Sequence, residues 1–409
     1  MAAKTAALAG AMAVALALSG APPARADLPG ADLPGAKRSA AELSVPVTYL
    51  RHERTPPSTL SELDPVPPDQ GLDGARLALA DSATTGGFLG QHYTLDLVSV
   101  PEDAALAGPA RQALSRSRLI LADMGPEDLL ALADLPEAQG ALIVNVAAGE
   151  ARLRSADCRA NLLHTALEDG ARADALMQVL QAKRWTRLAL VTGPRIADRA
   201  FAGELVRAAT KFGLKIVDEK DWPFQSDLRR STTTEIPAFT QGLRDHDVVL
   251  VADEAADFAR YIPDNTFLPR PVAGAAGIVP AAWSPVLEQW GASQLQARFR
   301  DATGRAMRPR DFAGWLALRA LAEAVTRTGS ADPAALRAYL LSPGFALDGF
   351  LGRSLSFRPW NGQLRQPVAV ANDRALIDLA PVEGFLHQVN EMDTLGLDRP
   401  ESACRAFGG

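Results

Sequence analysis

Short apolar runs alternate along the chain with segments in which apolar residues recur at helical spacing. Val45–Leu50 is rich in β-branched residues, and Leu119–Ala122 and Ala141–Val146 are continuous apolar runs, typical of strands buried on both faces. The stretches between these runs, near Asp103–Ser115 and Pro126–Ala133, have helical periodicity. This alternation predicts a parallel sheet whose strands are joined by right-handed helical crossovers.

A helix over Gln70–Ser82 and a strand over Tyr93–Val98 complete this first series, and the alternation then starts again. The second series is predicted to contain helix Asp169–Lys183, strand Leu188–Thr192, helix Arg199–Phe212, strand Lys215–Asp218, helix Phe239–Asp245, strands Val248–Val251 and Pro271–Gly274, and helices Ser284–Phe299 and Arg310–Arg327. Further on, Asn361-Gly362 predicts a hairpin turn between Ser354–Phe357 and Gln366–Ala371.

Two such series in one chain predict an α/β protein with two doubly wound parallel-sheet lobes and a ligand cleft between them. We expect the first lobe to contain residues 45–165 and about 300–345, and the second to contain residues 166–299 and about 346–380. Residues 381–409 are then a C-terminal tail.

The N-terminus has the features of an export signal. Lys4 precedes an apolar run from Ala6 to about Gly20, and Ala24-Arg25-Ala26 fits a small-x-small cleavage site. The run is shorter than the roughly 20 residues that a membrane-spanning helix needs; a retained N-terminal anchor is the alternative. We therefore expect a signal peptide over residues 1–26, a disordered leader over 27–44, and a periplasmic protein that is not embedded in the membrane.

Composition narrows the classes of partner. The formal net charge of −6 and the lack of a basic stretch argue against nucleic acid. The two cysteines, Cys158 and Cys404, form an even pair in an exported chain, which predicts a disulfide that ties the tail to the middle of the chain. Two unrelated buried thiols are the alternative. No histidine or cysteine flanks either residue at ligand spacing, so we predict no metal site.

The candidate ligand-binding residues lie at or just beyond the ends of predicted strands, where ligands bind in doubly wound sheets. They are Arg51, His52, Arg54, Asp123, Asn145, Arg152, Arg195, Asp198, Arg199, Asp253, Ala276 and Trp283. Guanidinium groups bind carboxylates in a bidentate manner and stack on planar rings. Because Trp283 follows a glycine-rich turn, its indole could also cover a ligand. The set predicts a cleft for a small planar anion with several carboxylates.

Structural roles for the same residues are the alternative to ligand binding. The arginines are solvated or paired with nearby carboxylates, Trp283 packs between the lobes, and His52 is structural. The chain contains no Gly-x-Ser-x-Gly, His-Glu-x-x-His or phosphate-loop motif, and the side chains of the adjacent Asp253 and Glu254 diverge in an extended segment. We therefore expect a binding protein and not an enzyme.

Two sets of segments resemble known families. Gln70–Ala80 followed by Gly86-Gly87-Phe88-Leu89-Gly90 resembles the first helix and turn of type I periplasmic binding proteins of the branched-chain amino acid receptor class. The resemblance continues in order through Leu188–Phe212 to Gly274–Gly277 and covers roughly residues 45–375. It implies a two-lobed receptor for an ABC importer.

The amino-acid site of that family is not expected here. Asp123-Met124 and Ala147-Ala148 stand where the family holds the ligand carboxylate with small hydroxyl residues. Ala275 and Ala276 stand near the place of the acidic residue that holds the ligand ammonium. The resemblance therefore implies the fold with a different ligand.

The C-terminal part is similar to a subfamily associated with pyrroloquinoline quinone (PQQ)-dependent alcohol dehydrogenase systems, through Gly274–Trp283, Leu351–Pro367, Gly384–Gln388 and Asp398–Ser402. This resemblance implies that PQQ, a planar tricarboxylate, is a bound ligand and not a catalytic cofactor, with an ABC permease or a PQQ-dependent dehydrogenase as partner. The alternatives are a receptor for an amino acid, an alcohol-oxidation product or a metal complex, and a sensor or assembly partner of the dehydrogenase. In each case we expect a monomer.

Overall fold

The strands and helices of the computed structural model follow the predicted alternation. The structure describes residues 42–56, 65–223 and 232–408, and these residues belong to one compact unit. The predicted signal peptide, and the predicted leader up to residue 41, lie outside the described residues. The first strand begins at Leu43, so the last two residues assigned to the leader belong to a strand.

Lobe 1 is built on a parallel sheet with the strand order β2-β1-β3-β4-β5. Its strands are β1 (Leu43–His52), β2 (Gln91–Val100), β3 (Leu119–Asp123), β4 (Leu142–Asn145) and β5 (Leu162–His164). The strand order reverses between β1 and β3, which opens a crevice at their carboxyl ends.

Lobe 2 repeats this plan with the strand order β7-β6-β8-β9. Its strands are β6 (Arg187–Thr192), β7 (Lys215–Asp221), β8 (Val248–Ala252) and β9 (Val272–Gly274). An antiparallel sheet of β10 (Val279–Ala281), β14 (Val368–Ala371) and β15 (Leu376–Ala380) extends the lobe. A second small antiparallel sheet, of β11 (Leu347–Asp348), β12 (Ser354–Phe357) and β13 (Leu364–Arg365), belongs to lobe 1.

Helices cover both faces of each parallel sheet. Their bounds are α1 (Leu72–Phe88), α2 (Ala107–Arg116), α3 (Pro126–Ala133), α4 (Asp169–Ala182), α5 (Ile196–Lys211), α6 (Thr232–Gln241), α7 (Ala292–Thr303), α8 (Pro309–Thr328) and α9 (Pro333–Leu340). In β1, Val47 and Tyr49 pack with α1, α7 and α8, whereas Leu50 on the other face packs with α2 and α3. In lobe 2, α4 and α5 cover one face of the sheet and α6 covers the other.

Several predicted boundaries differ from the structure. α7 begins at Ala292 and not at residue 284, because Trp290 and Gly291 have φ values of 54° and 84°, outside the helical region. α1 continues through Gly86-Gly87, and the chain turns at Gly90, where φ is 69°. α6 begins and ends earlier than the predicted helix Phe239–Asp245 and overlaps only its first three residues.

The hairpin also differs from its prediction. β12 pairs with β13 across the Asn361-Gly362 turn, whereas β14, predicted as the hairpin partner, pairs with β10 and β15 in lobe 2.

The chain returns to lobe 1 earlier than the predicted lobe boundaries imply. Trp283, Leu295 and Phe299 pack in the lobe 1 core, as do Leu347 and Phe357, although the sequence analysis assigned these stretches to lobe 2. The physical reason is that the chain crosses directly after β10 and covers the first sheet with α7. Cys158 and Cys404 are disulfide-bonded, which confirms the predicted pair. Within the described ranges, no helix is long and apolar enough to cross a membrane.

Candidate functional site

A cavity of about 430 Å³ lies between the lobes. Its lobe 1 wall includes Arg54, Gln70, Arg310 and the turn after β4. Its lobe 2 wall comes from the first turn of α4, the first two turns of α5, β10 and Glu254. A second cavity, of about 1030 Å³, is lined by lobe 1 and shares Arg54, Gln70 and Arg310 with the first. His52 lines this larger cavity, with its Nδ1 2.8 Å from Asp128 Oδ2.

Asp123 is the buried centre of the charged residues on lobe 1. The parallel register of β1 and β3 places Arg51 beside Asp123. The Asp123 carboxylate accepts hydrogen bonds from the Tyr49 hydroxyl at 2.9 Å and from Arg51 Nε at 3.3 Å. Arg51 also donates to the carbonyl oxygens of Pro68 at 2.6 Å and Gln70 at 3.1 Å. Arg51 therefore fixes the chain before α1 and has few donors left for a ligand.

Arg54 and Arg310 share the other oxygen of the same carboxylate. Arg54 Nη2 and Arg310 Nη1 each lie 3.6 Å from Asp123 Oδ1, and the two side chains are 39% and 35% exposed. Among the described residues, neither guanidinium has an acceptor within hydrogen-bonding distance. Burial and repulsion from Arg310 lower the pKa of Arg54. Two cations with unused donors thus meet where the two cavities join.

The opposite wall, on lobe 2, is ion-paired. Arg172 Nη1 lies 3.0 Å from Asp169 and 2.8 Å from Glu254, and its guanidinium lies over the Phe201 ring at 4.3 Å. Burial raises the pKa of Asp169. One cation is therefore balanced by two carboxylates on this side. On lobe 1, Glu150 also lines the cleft, and its charge acts on Arg54, so the charged side chains that line the cleft are three arginines and three carboxylates.

Asn145 shapes the cleft without lining it. Its buried side-chain oxygen accepts the backbone N–H groups of Ala147 and Ala148, at 3.1 and 2.9 Å, and its amide donates to the Ala148 carbonyl at 2.7 Å. These bonds hold the turn after β4, whose residues 146–150 form part of the lobe 1 wall.

The predicted acidic residues of lobe 2 hold loops. Asp198 accepts the backbone N–H groups of Arg195 at 3.0 Å and Glu254 at 2.8 Å. Asp253 accepts those of Phe258 and Ala259 at 2.8 and 2.9 Å, and burial raises its pKa. These side chains satisfy the backbone behind the lobe 2 wall and line neither cavity.

Four further predicted ligand residues also lie outside the linings of both cavities. Arg195 Nη2 lies 3.1 Å from Asp257. Arg152 forms ion pairs with Glu127 and Asp157. Arg199 is exposed on α5, and Ala276 is in the turn after β9. Of the predicted arginines, the structure brings only Arg51 and Arg54 to these cavities.

Trp283 requires a larger correction. Its side chain is 1% exposed, its indole N–H donates to Gln296 Oε1 at 3.0 Å, and its ring lies 4.7 Å from that of Phe312. The indole is part of the lobe 1 core, so it presents no face to the cleft and cannot stack on a ligand there.

Sequence reasoning missed Arg310, Arg172 and Phe201. Arg310 and Arg172 lie in the first turns of α8 and α4, and Phe201 lies in the second turn of α5, whereas the predicted residues lie at or just beyond strand ends. The sequence did contain a signal for Arg310, because Pro309 marks the start of a helix. The first turn of a helix presents free backbone N–H groups at its N-terminal end, and a basic side chain there lies near the same end.

The chain matches no protein-family model and no curated protein sequence. It is similar to the solved structure of a branched-chain amino acid ABC transporter periplasmic ligand-binding protein from Burkholderia xenovorans LB400, with a TM-score of 0.65 at 17% identity, over 89% of this chain and 100% of that one. A periplasmic binding protein from Burkholderia mallei matches with a TM-score of 0.63 at 13% identity, over 89% and 99%.

A solute binding protein of an ABC transporter from Rhodopseudomonas palustris BisB5, in complex with 3,4-dihydroxybenzoic acid, has a TM-score of 0.58 at 14% identity, over 80% of this chain and 93% of that one. Identities this low establish the fold alone. The chain therefore has the two-lobed fold of type I periplasmic binding proteins.

Proposed function

We propose that the protein is the periplasmic substrate-binding component of an ABC-type uptake system and that it binds a small organic carboxylate between its lobes. The observation that carries this proposal is the Arg54–Arg310 pair. Both guanidiniums lie 3.6 Å from one oxygen of Asp123 and retain unused donors at the junction of the cavities. A ligand carboxylate accepts hydrogen bonds from both and relieves the repulsion between them.

The remaining walls suit an aromatic acid. Phe201 and the alanines of α5 and of the turn after β4 supply apolar surface, and Arg172 supplies a cation already neutralised by two carboxylates. The similar protein from R. palustris holds 3,4-dihydroxybenzoic acid. By analogy, we infer that one carboxylate binds at Arg54 and Arg310 while a planar ring lies along the apolar wall.

PQQ is the specific ligand that we propose within this class, on the sequence resemblance of the C-terminal segments. It is planar and carries carboxylates, one of which would bind the arginine pair. The contacts differ from those expected from the sequence, because Arg54 and Arg310 replace Arg195 and Arg199, and Phe201 replaces Trp283 as the nearest aromatic surface. The protein would bind PQQ without transforming it and present it to a permease.

Isothermal titration of the purified protein with PQQ, 3,4-dihydroxybenzoate, benzoate and leucine tests both the proposed ligand class and the proposed specific ligand. We expect at least one of the aromatic acids to bind with a Kd in the micromolar range or below, roughly −8 kcal/mol. PQQ should be the tightest, and leucine should bind weakly. Binding of benzoates without PQQ would reject the specific ligand and keep the class.

Variants locate the site. Arg54→Gln and Arg310→Gln should each weaken binding at least about tenfold, since a charge-assisted hydrogen bond contributes about 1.5–3 kcal/mol. Arg199→Gln is the matched control, because Arg199 is an exposed arginine outside both cavities. Equal losses in all three variants, or no binding by any member of the panel at tens of micromolar, would contradict the proposed site.

A further inference from the structure

The chain connects the two lobes at three crossings and again through its C-terminal segment. Within the described residues, the chain passes between the lobes at 165–168, after β5, at 282, after β10, and at 366–367, before β14. After β15 the chain still adds Val382 and Leu395 to the lobe 2 core, and its last segment then returns to lobe 1. We call residues 395–407 the strap.

The strap begins on lobe 2. Leu395 is buried in the core that α4 and α5 form with the second sheet. The next residue, Gly396, donates its N–H to Asp174 at 2.9 Å and accepts a hydrogen bond from Lys211 Nζ at 3.1 Å. Asp174 is on α4 and Lys211 is on α5, so this end of the strap is fixed to both helices.

The strap then passes over the segments that connect the lobes. The N–H of Leu397 donates to Glu168 Oε1, at 3.2 Å, within the first crossing. Just before the strap, the fully buried Asp393 accepts hydrogen bonds from Arg358 at 2.9 Å and from Arg365 at 2.8 and 3.0 Å. Both arginines belong to the segment that leads into the third crossing. The buried ion pairs thus attach the chain before the strap to the crossing strands.

The strap ends on lobe 1. Ser402 Oγ donates to the Arg154 carbonyl at 2.7 Å, and the N–H of Ala403 donates to Ser155 Oγ at 2.9 Å. Cys404 is bonded to Cys158. Beyond it, the Phe407 ring packs against the lobe 1 core. A covalent bond and a partly buried aromatic ring therefore hold this end.

We propose that the strap is a disulfide-closed fourth connection between the lobes that restricts their relative rotation. Its two anchors, Leu395 in the lobe 2 core and Cys404 on lobe 1, are separated by a short segment whose backbone is bonded to both lobes. A hinge motion that moves the lobes apart must break contacts at one anchor or extend this segment. The intact disulfide prevents the anchor on lobe 1 from detaching. The strap therefore lowers the population of widely opened conformations.

Hydrogen–deuterium exchange of the ligand-free protein tests this inference. In the Cys158→Ser/Cys404→Ser variant, amides at 165–168, 363–367 and in the strap should exchange at least tenfold faster, while β3 and β8 exchange as in the wild type. Small-angle scattering should give a larger radius of gyration. Unchanged exchange at the crossings in the folded variant would overturn the proposal.

A second variant keeps the disulfide and lengthens the strap, so that it applies even where the cysteine variant fails to fold. A Gly-Gly-Ser-Gly insertion after Arg399 lies between the two anchors and should reproduce the faster exchange. The same insertion after Gly384, which has open surroundings and precedes both anchors, is the control and should leave the crossings unchanged. Equal behaviour of the two insertions would reject the strap. Since every measurement uses protein without ligand, failure here leaves the proposed ligand site untested and standing, and failure of ligand binding leaves the strap standing.

Discussion

Asp123 is the buried carboxylate at which the charged groups of lobe 1 converge, and Asp123→Asn removes its charge at nearly constant size. Arg51 Nε lies 3.3 Å from the carboxylate, and Arg54 and Arg310 lie 3.6 Å from it. The side chain is 3% exposed, so water replaces little of the lost interaction. In the variant, three guanidiniums stand together around a neutral amide.

The distances between Asp123 and the three arginines determine how much unfolding free energy the substitution should remove. At an effective dielectric constant of about 20, each guanidinium attracts the carboxylate by about 5 kcal/mol at these separations. Desolvation of Asp123 and repulsion among the arginines offset most of this attraction. Removing one partner of a buried ion pair costs roughly 3–5 kcal/mol, because the remaining charge stays buried without compensation. Arg54 and Arg310 are partly exposed, so we expect the lower end, about 3 kcal/mol.

Urea unfolding at low ionic strength measures this free energy without screening the charges. The matched control is Asp128→Asn, because Asp128 is 37% exposed and its partner is a single histidine, His52. That variant should lose less than about 1 kcal/mol. Sulfate should restore part of the stability of Asp123→Asn by binding the uncompensated arginines. A loss below 1 kcal/mol in Asp123→Asn, insensitive to sulfate, would refute the idea that Asp123 is the main counter-charge of these three arginines.

Three further outcomes follow from packing and burial. In α1, Gly74→Ala should lower the unfolding free energy by about 3 kcal/mol, because the new Cβ would lie 1.7 Å from the Asp311 carbonyl oxygen. Gly87→Ala, in open space, should raise it by about 0.5–1 kcal/mol, and the urea midpoints of the two variants test this difference. Trp283→Ala should lose about 3–5 kcal/mol but leave the ligand Kd of the folded protein unchanged by calorimetry. Burial and the charge of Arg154 lower the pKa of His164 well below 6.5, so the unfolded chain takes up the proton first. Stability should then fall by about 1.4 kcal/mol per pH unit below about pH 6.5, and His164→Gln should lack this slope in unfolding curves from pH 5 to 7.

Continuous apolar runs predicted the parallel strands well because the interior strands are covered on both faces. Every residue of β3, β4 and β8 is buried. α3 was predicted with its observed bounds, since Pro126 fixes the first turn. α7 was misplaced because its apolar spacing continues backward into a segment whose backbone turns at Trp290 and Gly291.

The lobe assignment of 283–299 and 347–365 could not be predicted from periodicity. An amphipathic helix or strand carries an apolar face that suits either sheet equally well. Which sheet it covers depends on where the chain crosses, and the crossing after β10 occurs within one residue, Ala282, which lines the cleft and joins the lobe 1 core. Nothing in the local pattern marks that position.

The site was half predicted for a similar reason. Strand ends located Arg51, Arg54 and Asp123 because the register of parallel strands brings their last residues to one edge. The equivalent residues of lobe 2, Asp198 and Asp253, satisfy backbone N–H groups instead. An acidic residue after a strand serves either purpose, and only its hydrogen-bond partners distinguish them.

The number of arginines is a poor guide to the ligand for the same reason. In this acidic chain, Arg152, Arg172 and Arg305 each have two carboxylate partners. What marks a binding position is the donors that remain after pairing, and Arg54 and Arg310 keep theirs because one oxygen of Asp123 serves both. A single carboxylate fits this position. The further carboxylates of a polycarboxylate ligand add binding free energy only if they displace Asp169 or Glu254 from Arg172. That displacement exchanges one ion pair for another, so the net gain is small. Recognition of PQQ in this cleft would therefore depend on one carboxylate and on the fit of the flat ring, and much less on the total charge of the ligand.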